Sequence, residues 1–152
     1  MSDATDVRVE VRTADHMREL GEAVGALLTA GQVIVLTGPL GAGKTTFVQG
    51  VARACGVTEP VTSPTFVIAR VHRGSAMTLV HVDAYRLSNP RDLSALDLDE
   101  EIERGVTLVE WGAHVLADQD HLAISIDRGR DDDVRVVTLP AALAPAVARV
   151  HK

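Results

Sequence analysis

The sequence has only one cysteine, Cys55, among its 152 residues. A single thiol excludes an internal disulfide framework and any zinc site built from several cysteines. The longest clearly apolar strand-like run, residues 33–36, is far too short to cross a bilayer. Residues 1–6 are acidic and polar and lack the basic-then-apolar pattern of an export leader. We therefore expect a protein of a reducing compartment, most simply cytoplasmic, without a membrane role.

Basic residues are also in the minority, with 15 Lys and Arg against 21 Asp and Glu, for a net charge of −6. Proteins that coat nucleic acid or bind membrane surfaces through their own charge are usually basic, so the balance disfavours both classes. A nucleic-acid role exercised through partner subunits stays open. The six histidines show no metal-ligand spacing and predict no zinc site.

Length and apolar periodicity predict a single α/β domain over residues 1–152, with a mixed central sheet and helices on both faces. The predicted strands are residues 7–11, 33–36, 66–72, 77–82, 106–109, 122–126 and 134–139, of which the third and fourth form an antiparallel hairpin. The predicted helices run from an N-cap at Thr13 to a stop at Gly31, over residues 44–55 and over residues 91–103. The alanine-rich tail from residue 141 is either a short helix or a frayed end.

The strongest motif is a complete G-x-x-x-x-G-K-T pattern, Gly38-Pro39-Leu40-Gly41-Ala42-Gly43-Lys44-Thr45. Its glycines allow backbone N–H groups to point at phosphate oxygens, at the positive end of the following helix. Lys44 is predicted to contact the β- and γ-phosphates, and the Thr45 hydroxyl to ligate Mg²⁺. A glycine turn with a chance lysine is the alternative, but the preceding strand and the following helix favour a nucleoside-triphosphate site. The predicted binding residues are Gly38, Gly41, Ala42, Gly43, Lys44, Thr45 and Thr46.

A P-loop also needs a carboxylate at the end of a neighbouring strand to hold hydrated Mg²⁺. Asp83 ends one apolar strand and Glu110 ends another, so either carboxylate can lie at the carboxyl edge of the sheet. Taken singly, each is equally well explained as an exposed charge. Beside the P-loop, at least one is predicted to be functional. No Asn-Lys-x-Asp motif for guanine is present, which favours ATP over GTP.

Two further features have both a structural and a functional interpretation. The segment Thr62-Ser63-Pro64-Thr65-Phe66 lies where nucleotide switches place a hydroxyl close to the γ-phosphate or Mg²⁺. On spacing alone, an ordinary Ser-Pro turn explains that segment better. Trp111, directly after Glu110, suits a contact with the nucleotide or a partner as well as it suits burial in the core.

Together these motifs resemble the TsaE family, the small P-loop ATPases of bacterial tRNA threonylcarbamoyladenosine biosynthesis. The resemblance rests on G-P-L-G-A-G-K-T-T-F at residues 38–47, S-P-T-F at 63–66, H-V-D-A-Y-R-L at 81–87 and V-E-W at 109–111. Their order and spacing match across about residues 10–140. Many families share a P-loop, whereas this whole set on so short a chain is much more specific.

The resemblance implies that Thr45 and Glu110 ligate Mg²⁺, while Asp83 assists the metal or positions the attacking water. It implies that Thr65 belongs to a switch-like segment and that Trp111 lies near the nucleotide. It further implies an intracellular complex with the TsaB and TsaD proteins. In that complex, ATP hydrolysis that is weak in this subunit alone supports turnover of the tRNA-modifying subunit, and the partners handle most of the tRNA.

Two positions depart from the family pattern. Gly112 stands where the family often has proline after the Glu-Trp pair, which predicts a different turn. The family's loop before the last strand tends to carry an arginine near the nucleotide. In this chain Arg130 is the candidate for that contact, and three aspartates follow it at residues 131–133.

Two other functions stay open at this point. A small-metabolite kinase also uses a P-loop on a short chain, but it needs an acceptor pocket and an arginine-bearing lid. Arg86, Arg91 and Arg104 are scattered along the sequence and no acceptor motif is visible. A module that senses ATP without turnover needs no water-positioning carboxylate, so Asp83 and Glu110 weigh against it. The sequence favours the ATPase subunit.

Overall fold

The computed structural model describes residues 6–39, 41–62, 68–116, 120–131 and 133–150. Its strands are β1 (Val7–Val11), β2 (Val33–Thr37), β3 (Ala69–Arg73), β4 (Thr78–Asp83), β5 (Val106–Glu110), β6 (Leu122–Arg128) and β7 (Arg135–Leu139). Its α-helices are α1 (Ala14–Gly25), α2 (Lys44–Cys55), α3 (Pro90–Ser94), α4 (Asp99–Arg104), α5 (Ala113–Leu116) and α6 (Pro145–Val150). Single turns of 3-10 helix occur at Ala84–Arg86 and Ala141–Leu143.

The strands form one mixed sheet in the order β1-β7-β6-β2-β5-β4-β3. The central strands are parallel, because β2 pairs with both β5 and β6, and β5 pairs with β4. The flanks are antiparallel, and the predicted hairpin is the β3–β4 pair. Parallel strands end at the same edge of a sheet, so the side chains that follow β2, β4 and β5 meet there.

Both faces of the central strands are covered, which explains the continuous apolar run of β2. Ile34 and Leu36 belong to a core shared with α1 and α2. Val33 and Val35 belong to a second core, to which α3 and α5 contribute Leu93, Val115 and Leu116. Strands buried on both faces lose the alternation of apolar and polar residues. The predicted mixed sheet with helices on both faces is confirmed.

Helices α1 and α2 approach each other through glycines. A Cβ added to Gly21 would lie 2.2 Å from the Phe47 carbonyl oxygen, and one added to Gly50 would lie 2.1 Å from the Arg18 carbonyl oxygen. Any side chain at either position would push the two backbones apart. The close contact therefore fixes α2, which follows the glycine-rich turn, against α1.

Two helix boundaries differ from the sequence prediction. Thr13 caps α1 as predicted, but the helix ends at Gly25, and Gly31 adopts a φ of +92° in the turn before β2. The predicted helix over residues 91–103 is divided into α3 and α4. The division occurs because Asp97 has a φ of +57°, a conformation outside the right-handed helical region.

Other elements agree more closely with the sequence prediction. The predicted strand over residues 66–72 corresponds to β3, and its first two residues lie outside the described ranges. The alanine-rich tail forms the short helix α6, and its Ala146 is buried in the same core as α1. Within the described ranges, no helix has the length and apolar character needed to cross a membrane.

Candidate functional site

The glycine-rich turn joins β2 to α2 at the carboxyl edge of the parallel strands. Gly41 and Gly43 have φ values of +79° and +109°, which residues with side chains rarely adopt. Position 38 has no room for a side chain, because a Cβ on Gly38 would lie 2.3 Å from the Ile126 carbonyl oxygen of β6. Glycine is therefore required in this turn for two reasons: the backbone conformation, and the closeness of the neighbouring strand. Leu40 of the motif lies outside the described residues.

The first turn of α2 is a site for negative charge. The helix begins at Lys44, and its N-cap, Gly43, offers no side chain to the first N–H groups. Those groups have no partner within the helix, and the helix dipole makes this end positive. No acidic residue lies in the first turn of this helix to satisfy them. Thr45 and Thr46, both half-buried, lie in that turn.

The Lys44 side chain folds back over the glycine-rich turn. Its Nζ donates to the Gly38 carbonyl oxygen at 2.6 Å and lies 3.8 Å from the centroid of the Trp111 ring, a cation–π distance. Burial lowers the pKa of Lys44, while the negative charges of Glu110 and, to a smaller extent, Asp83 act to raise it. The ammonium group is therefore close enough to both carboxylates to interact with each.

Asp83 and Glu110 end neighbouring parallel strands at the same level. They are Cα partners in the β4–β5 ladder. Glu110 is also the partner of Leu36 in β2, two residues before Gly38. The structure thus brings Lys44, Asp83 and Glu110 together beside the glycine-rich turn.

The two carboxylates have different surroundings. Glu110 is 4% exposed, and its Oε2 lies 2.6 Å from Nε2 of His81, a fully buried residue of β4. Asp83 is half-buried, and its Oδ1 accepts a hydrogen bond of 3.0 Å from the backbone N–H of Tyr85. One carboxylate is bound by another strand, and the other caps the turn that follows it.

Trp111 covers the Lys44 ammonium group from a strained backbone position. Its φ is +59°, and its ring also meets the edge of Tyr85, with 5.8 Å between the ring centroids. Tyr85 itself is 73% exposed. Gly112 completes the turn, and a Cβ there would lie 2.1 Å from Cγ1 of Val109. The turn after Trp111 therefore requires glycine, which accounts for the departure from proline at this position.

A cavity of about 260 Å³ lies beside the glycine-rich turn, on the side of β1. Its walls come from three separate parts of the chain. The lining residues include Arg12, Thr13, Met17, Gly41, Ala42, Gly43, Thr46, Asp133 and Arg135. No local motif indicates this cavity, because each segment contributes only a few residues.

Arg128, the last residue of β6, approaches the glycine-rich turn. Its guanidinium nitrogen would lie 3.4 Å from a Cβ added to Gly41. Arg130 lies further along the chain and lines a second surface cavity together with Arg12 and Arg128. No motif in the sequence singles out Arg128, although alternation along β6 places it on the same face as Ile126, whose carbonyl lies close to Gly38. The nucleotide contact of Arg130 stays a prediction.

The remaining predicted site features are Thr65 and a metal site. Thr65, with its whole S-P-T-F motif, lies outside the described residues. In the parts of the chain that the structure describes, no three His, Cys, Asp or Glu side chains form a metal-binding group. Mg²⁺ in nucleotide sites uses only one or two carboxylates together with phosphates and water. The hydroxyl of Thr45 and the carboxylates of Glu110 and Asp83 are hard oxygen donors that fit this requirement.

Comparison with known proteins agrees with the resemblance predicted from the sequence. The family model described as "Threonylcarbamoyl adenosine biosynthesis protein TsaE" matches residues 11–137. A tRNA threonylcarbamoyladenosine biosynthesis protein TsaE from Streptomyces coelicolor is 49% identical, with 81% of this chain and 88% of that protein covered. The protein of the same name from Bacillus subtilis is 38% identical, with 84% and 80% covered.

A solved structure gives the same result for the fold. The crystal structure of Bacillus subtilis YdiB matches with a TM-score of 0.76 and 30% sequence identity, over 99% of this chain and 97% of that one. The predicted P-loop fold and the predicted family are therefore confirmed. By sequence and by fold, the chain belongs to the TsaE family, whose role is in tRNA threonylcarbamoyladenosine biosynthesis.

Proposed function

We propose that the chain binds ATP with Mg²⁺ and hydrolyses it, as the ATPase subunit of tRNA threonylcarbamoyladenosine biosynthesis. The observation that carries the proposal is the meeting of three groups at one sheet edge. Lys44 lies beside Asp83 and Glu110, which are register partners on adjacent parallel strands. A cation, two carboxylates and a positive helix end are the groups that phosphoryl transfer from a nucleotide requires.

The phosphates would bind at the glycine-rich turn and the start of α2. The free N–H groups of the first helical turn and the helix dipole favour anions there. Lys44 would exchange its hydrogen bond to the Gly38 carbonyl for one to a phosphate oxygen. A hydrogen bond between two charged groups is stronger than one to a neutral carbonyl, so the exchange favours binding. Arg128, beside Gly41, is placed to add a second positive charge.

The metal would be held by Thr45 and Glu110. When bound to a triphosphate, Mg²⁺ neutralises charge that develops on the transferred phosphoryl group. Glu110 is shielded from solvent and bound by His81, so its carboxylate is preorganised for a ligand role. Asp83 is more exposed to solvent and suits the positioning of the attacking water. Thr65 is proposed to approach the γ-phosphate from its switch-like segment.

The base and ribose would occupy the cavity beside β1. Arg12, Thr13 and Met17 line it on one side, and the glycine-rich turn and Thr46 line it on another. The cavity adjoins the phosphate-binding turn, as the shape of a nucleotide requires. Trp111 lies against the Lys44 ammonium group and would remain close to the phosphates.

We propose that the subunit works in the cytoplasm with the TsaB and TsaD proteins, and that these partners contact most of the tRNA. Membership of the TsaE family supports the pathway, and the net charge of −6 suits a subunit that does not bind much RNA itself. The three arginines considered for a kinase lid do not support that role. Arg104, for example, is paired with Glu100 of its own helix at 3.0 Å.

The experiment measures ATP binding by calorimetry and ATP hydrolysis by phosphate release. We expect weak hydrolysis by the chain alone, and a rise when TsaB, TsaD and tRNA are added. Lys44→Ala should weaken ATP binding at least about 100-fold, because it removes a buried charge–phosphate contact. Lys152→Ala, at the other lysine of the sequence, is the matched control and should bind normally.

Undiminished ATP affinity in Lys44→Ala would overturn the P-loop assignment. Hydrolysis that ignores the partner proteins, together with phosphorylation of an added metabolite, would instead identify a kinase.

A further inference from the structure

Two buried histidines of this fold each contact a glutamate, and the two pairs differ in where the glutamate lies. His81 Nε2 is 2.6 Å from Glu110, and His72 Nδ1 is 2.6 Å from Glu59. Glu59 lies in the loop after α2, with 57% of its side chain exposed. Glu110 is buried beside Lys44 at the edge of the parallel strands. Only the His81 pair includes a residue of the candidate site.

The strand register explains how His81 contacts Glu110. His81 precedes Asp83 by two residues in β4, so both side chains point to the same face of the sheet. Glu110 is the register partner of Asp83 on β5. The imidazole therefore lies one step inside the row of carboxylates, on the side away from solvent. It contacts Glu110 diagonally across the two strands.

The direction of this hydrogen bond follows from the acceptor. A carboxylate only accepts hydrogen bonds, so Nε2 of His81 carries the hydrogen and donates it to Oε2 of Glu110. The other ring nitrogen, Nδ1, is buried and has no partner among the described residues. Glu110 is thus the described hydrogen-bond partner of the ring.

Burying a polar ring with one nitrogen unsatisfied is unfavourable for folding alone. The neighbouring inward positions of this sheet face are apolar, as Leu79 and Leu108 show. The polar ring at position 81 satisfies the buried carboxylate of Glu110, and a leucine there would remove that hydrogen bond.

We propose that His81 is a positioning residue that holds Oε2 of Glu110, so that Oε1 is presented to the metal of the bound nucleotide. The inference rests on the proposed function, because it requires Glu110 to be a metal ligand. Hydrogen bonds from an outer residue to a ligating carboxylate fix its orientation, and their loss typically lowers metal affinity about 10–100-fold. His81 itself contacts neither nucleotide nor metal.

The test measures how strongly Mg²⁺ increases ADP affinity, by calorimetry with and without EDTA. His81→Leu keeps the apolar volume and removes the donor, and should lower Mg²⁺ affinity about tenfold while ADP affinity in EDTA stays unchanged. His81→Gln places an amide N–H near the position of Nε2 and should recover most of the loss. His72→Leu is the matched control, because it removes a similarly buried histidine from a histidine–glutamate pair that lies away from the site.

The outcomes separate this inference from the proposed function. Glu110→Gln is measured beside the histidine variants. If it leaves Mg²⁺ affinity unchanged, the metal role of Glu110 is wrong and the inference falls with it. If Glu110→Gln weakens Mg²⁺ binding but His81→Leu does not, only the inference is wrong. Equal losses in His81→Gln and His81→Leu would likewise reject positioning. His81→Asn, whose shorter amide stops short of Oε2, replaces His81→Leu if that variant does not fold.

Discussion

The ends of β4 and β5 carry carboxylates at the same level of the sheet, but the chain leaves the two strands differently. After Asp83 it enters a single 3-10 turn, and Asp83 caps that turn by accepting the N–H of Tyr85. After Glu110 it passes through Trp111 in a left-handed conformation and then through Gly112, packed against the strand. Asp83 is bound to its own local backbone, whereas Glu110 is bound by a residue of another strand.

We propose that this difference gives the two carboxylates distinct tasks, in line with the roles that the family resemblance implies. A carboxylate fixed by tertiary contacts and excluded from water is preorganised, which favours direct ligation of a metal. A half-buried carboxylate that accepts a backbone hydrogen bond at one oxygen can still bind water at the other oxygen. We therefore assign the larger metal role to Glu110 and the water-positioning role to Asp83.

The largest expected effect is that of Glu110→Gln on ATP hydrolysis. Removing the buried charge should lower Mg²⁺-dependent turnover about 100-fold, on the order of 3 kcal/mol, because one metal ligand is lost. Phosphate release at saturating ATP and Mg²⁺ measures it. Asp83→Asn keeps the cap of the 3-10 turn and should cost only about tenfold. A greater loss in Asp83→Asn than in Glu110→Gln would reverse the assignment.

Gly112→Ala tests the backbone that follows β5. The new methyl group would meet Cγ1 of Val109, and such overpacking should lower the free energy of unfolding by about 2 kcal/mol. Urea denaturation gives this value. In a double-mutant cycle, Val109→Ala removes the atom that clashes, so the two changes together should cost less than their sum. Strictly additive costs would show that the strain lies elsewhere in the turn.

The smallest expected effect is on the pKa of Lys44. Burial lowers this pKa, and the charge of Glu110 opposes the shift more than that of Asp83. Glu110→Gln should therefore lower the pKa of Lys44 further than Asp83→Asn does. Nitrogen-15 NMR can measure the pKa of Lys44 in each variant, since the sequence contains only two lysines. Equal shifts in the two variants would contradict the larger influence of Glu110 on this pKa.

The same pKa has a consequence for stability. Between the lowered pKa of Lys44 and its ordinary value of 10.5, the unfolded chain binds more protons than the folded one. Stability relative to Lys44→Met should therefore rise as pH increases through that window. At pH values below this window Lys44 is charged in both states, and the folded state carries the full free-energy cost of burying that charge. Paired urea denaturation curves across alkaline pH measure the difference.

Local patterns predicted the parts of the fold that depend on short stretches of sequence. The helix predicted over about residues 44–55 is α2, which follows the glycine-rich turn and ends before Gly56, a residue in a left-handed conformation. The sequence also placed Asp83 and Glu110 at strand ends. The end of α1 was missed: the helix ends at Gly25, and tighter turns follow it, in which the N–H groups of Leu27 and Leu28 donate to carbonyls three residues earlier.

Contacts between distant segments could not be predicted in this way. The pairing of His81 with Glu110 depends on the register of β4 against β5, and no spacing in the sequence reveals that register. The approach of Arg128 to Gly41 similarly depends on β6 lying beside β2. The roles proposed for Thr65 and Arg130 rest on the family resemblance and stay predictions.

The strand order has a consequence for how the protein is made. The glycine-rich turn follows β2, early in the chain, yet β2 pairs on one side with β5 and on the other with β6. Even Gly38 rests on the backbone of Ile126. Contacts between segments so far apart close late and slowly. On the ribosome the glycine-rich turn is therefore synthesised long before the strands that support it, and the candidate site is completed only when β6 has emerged.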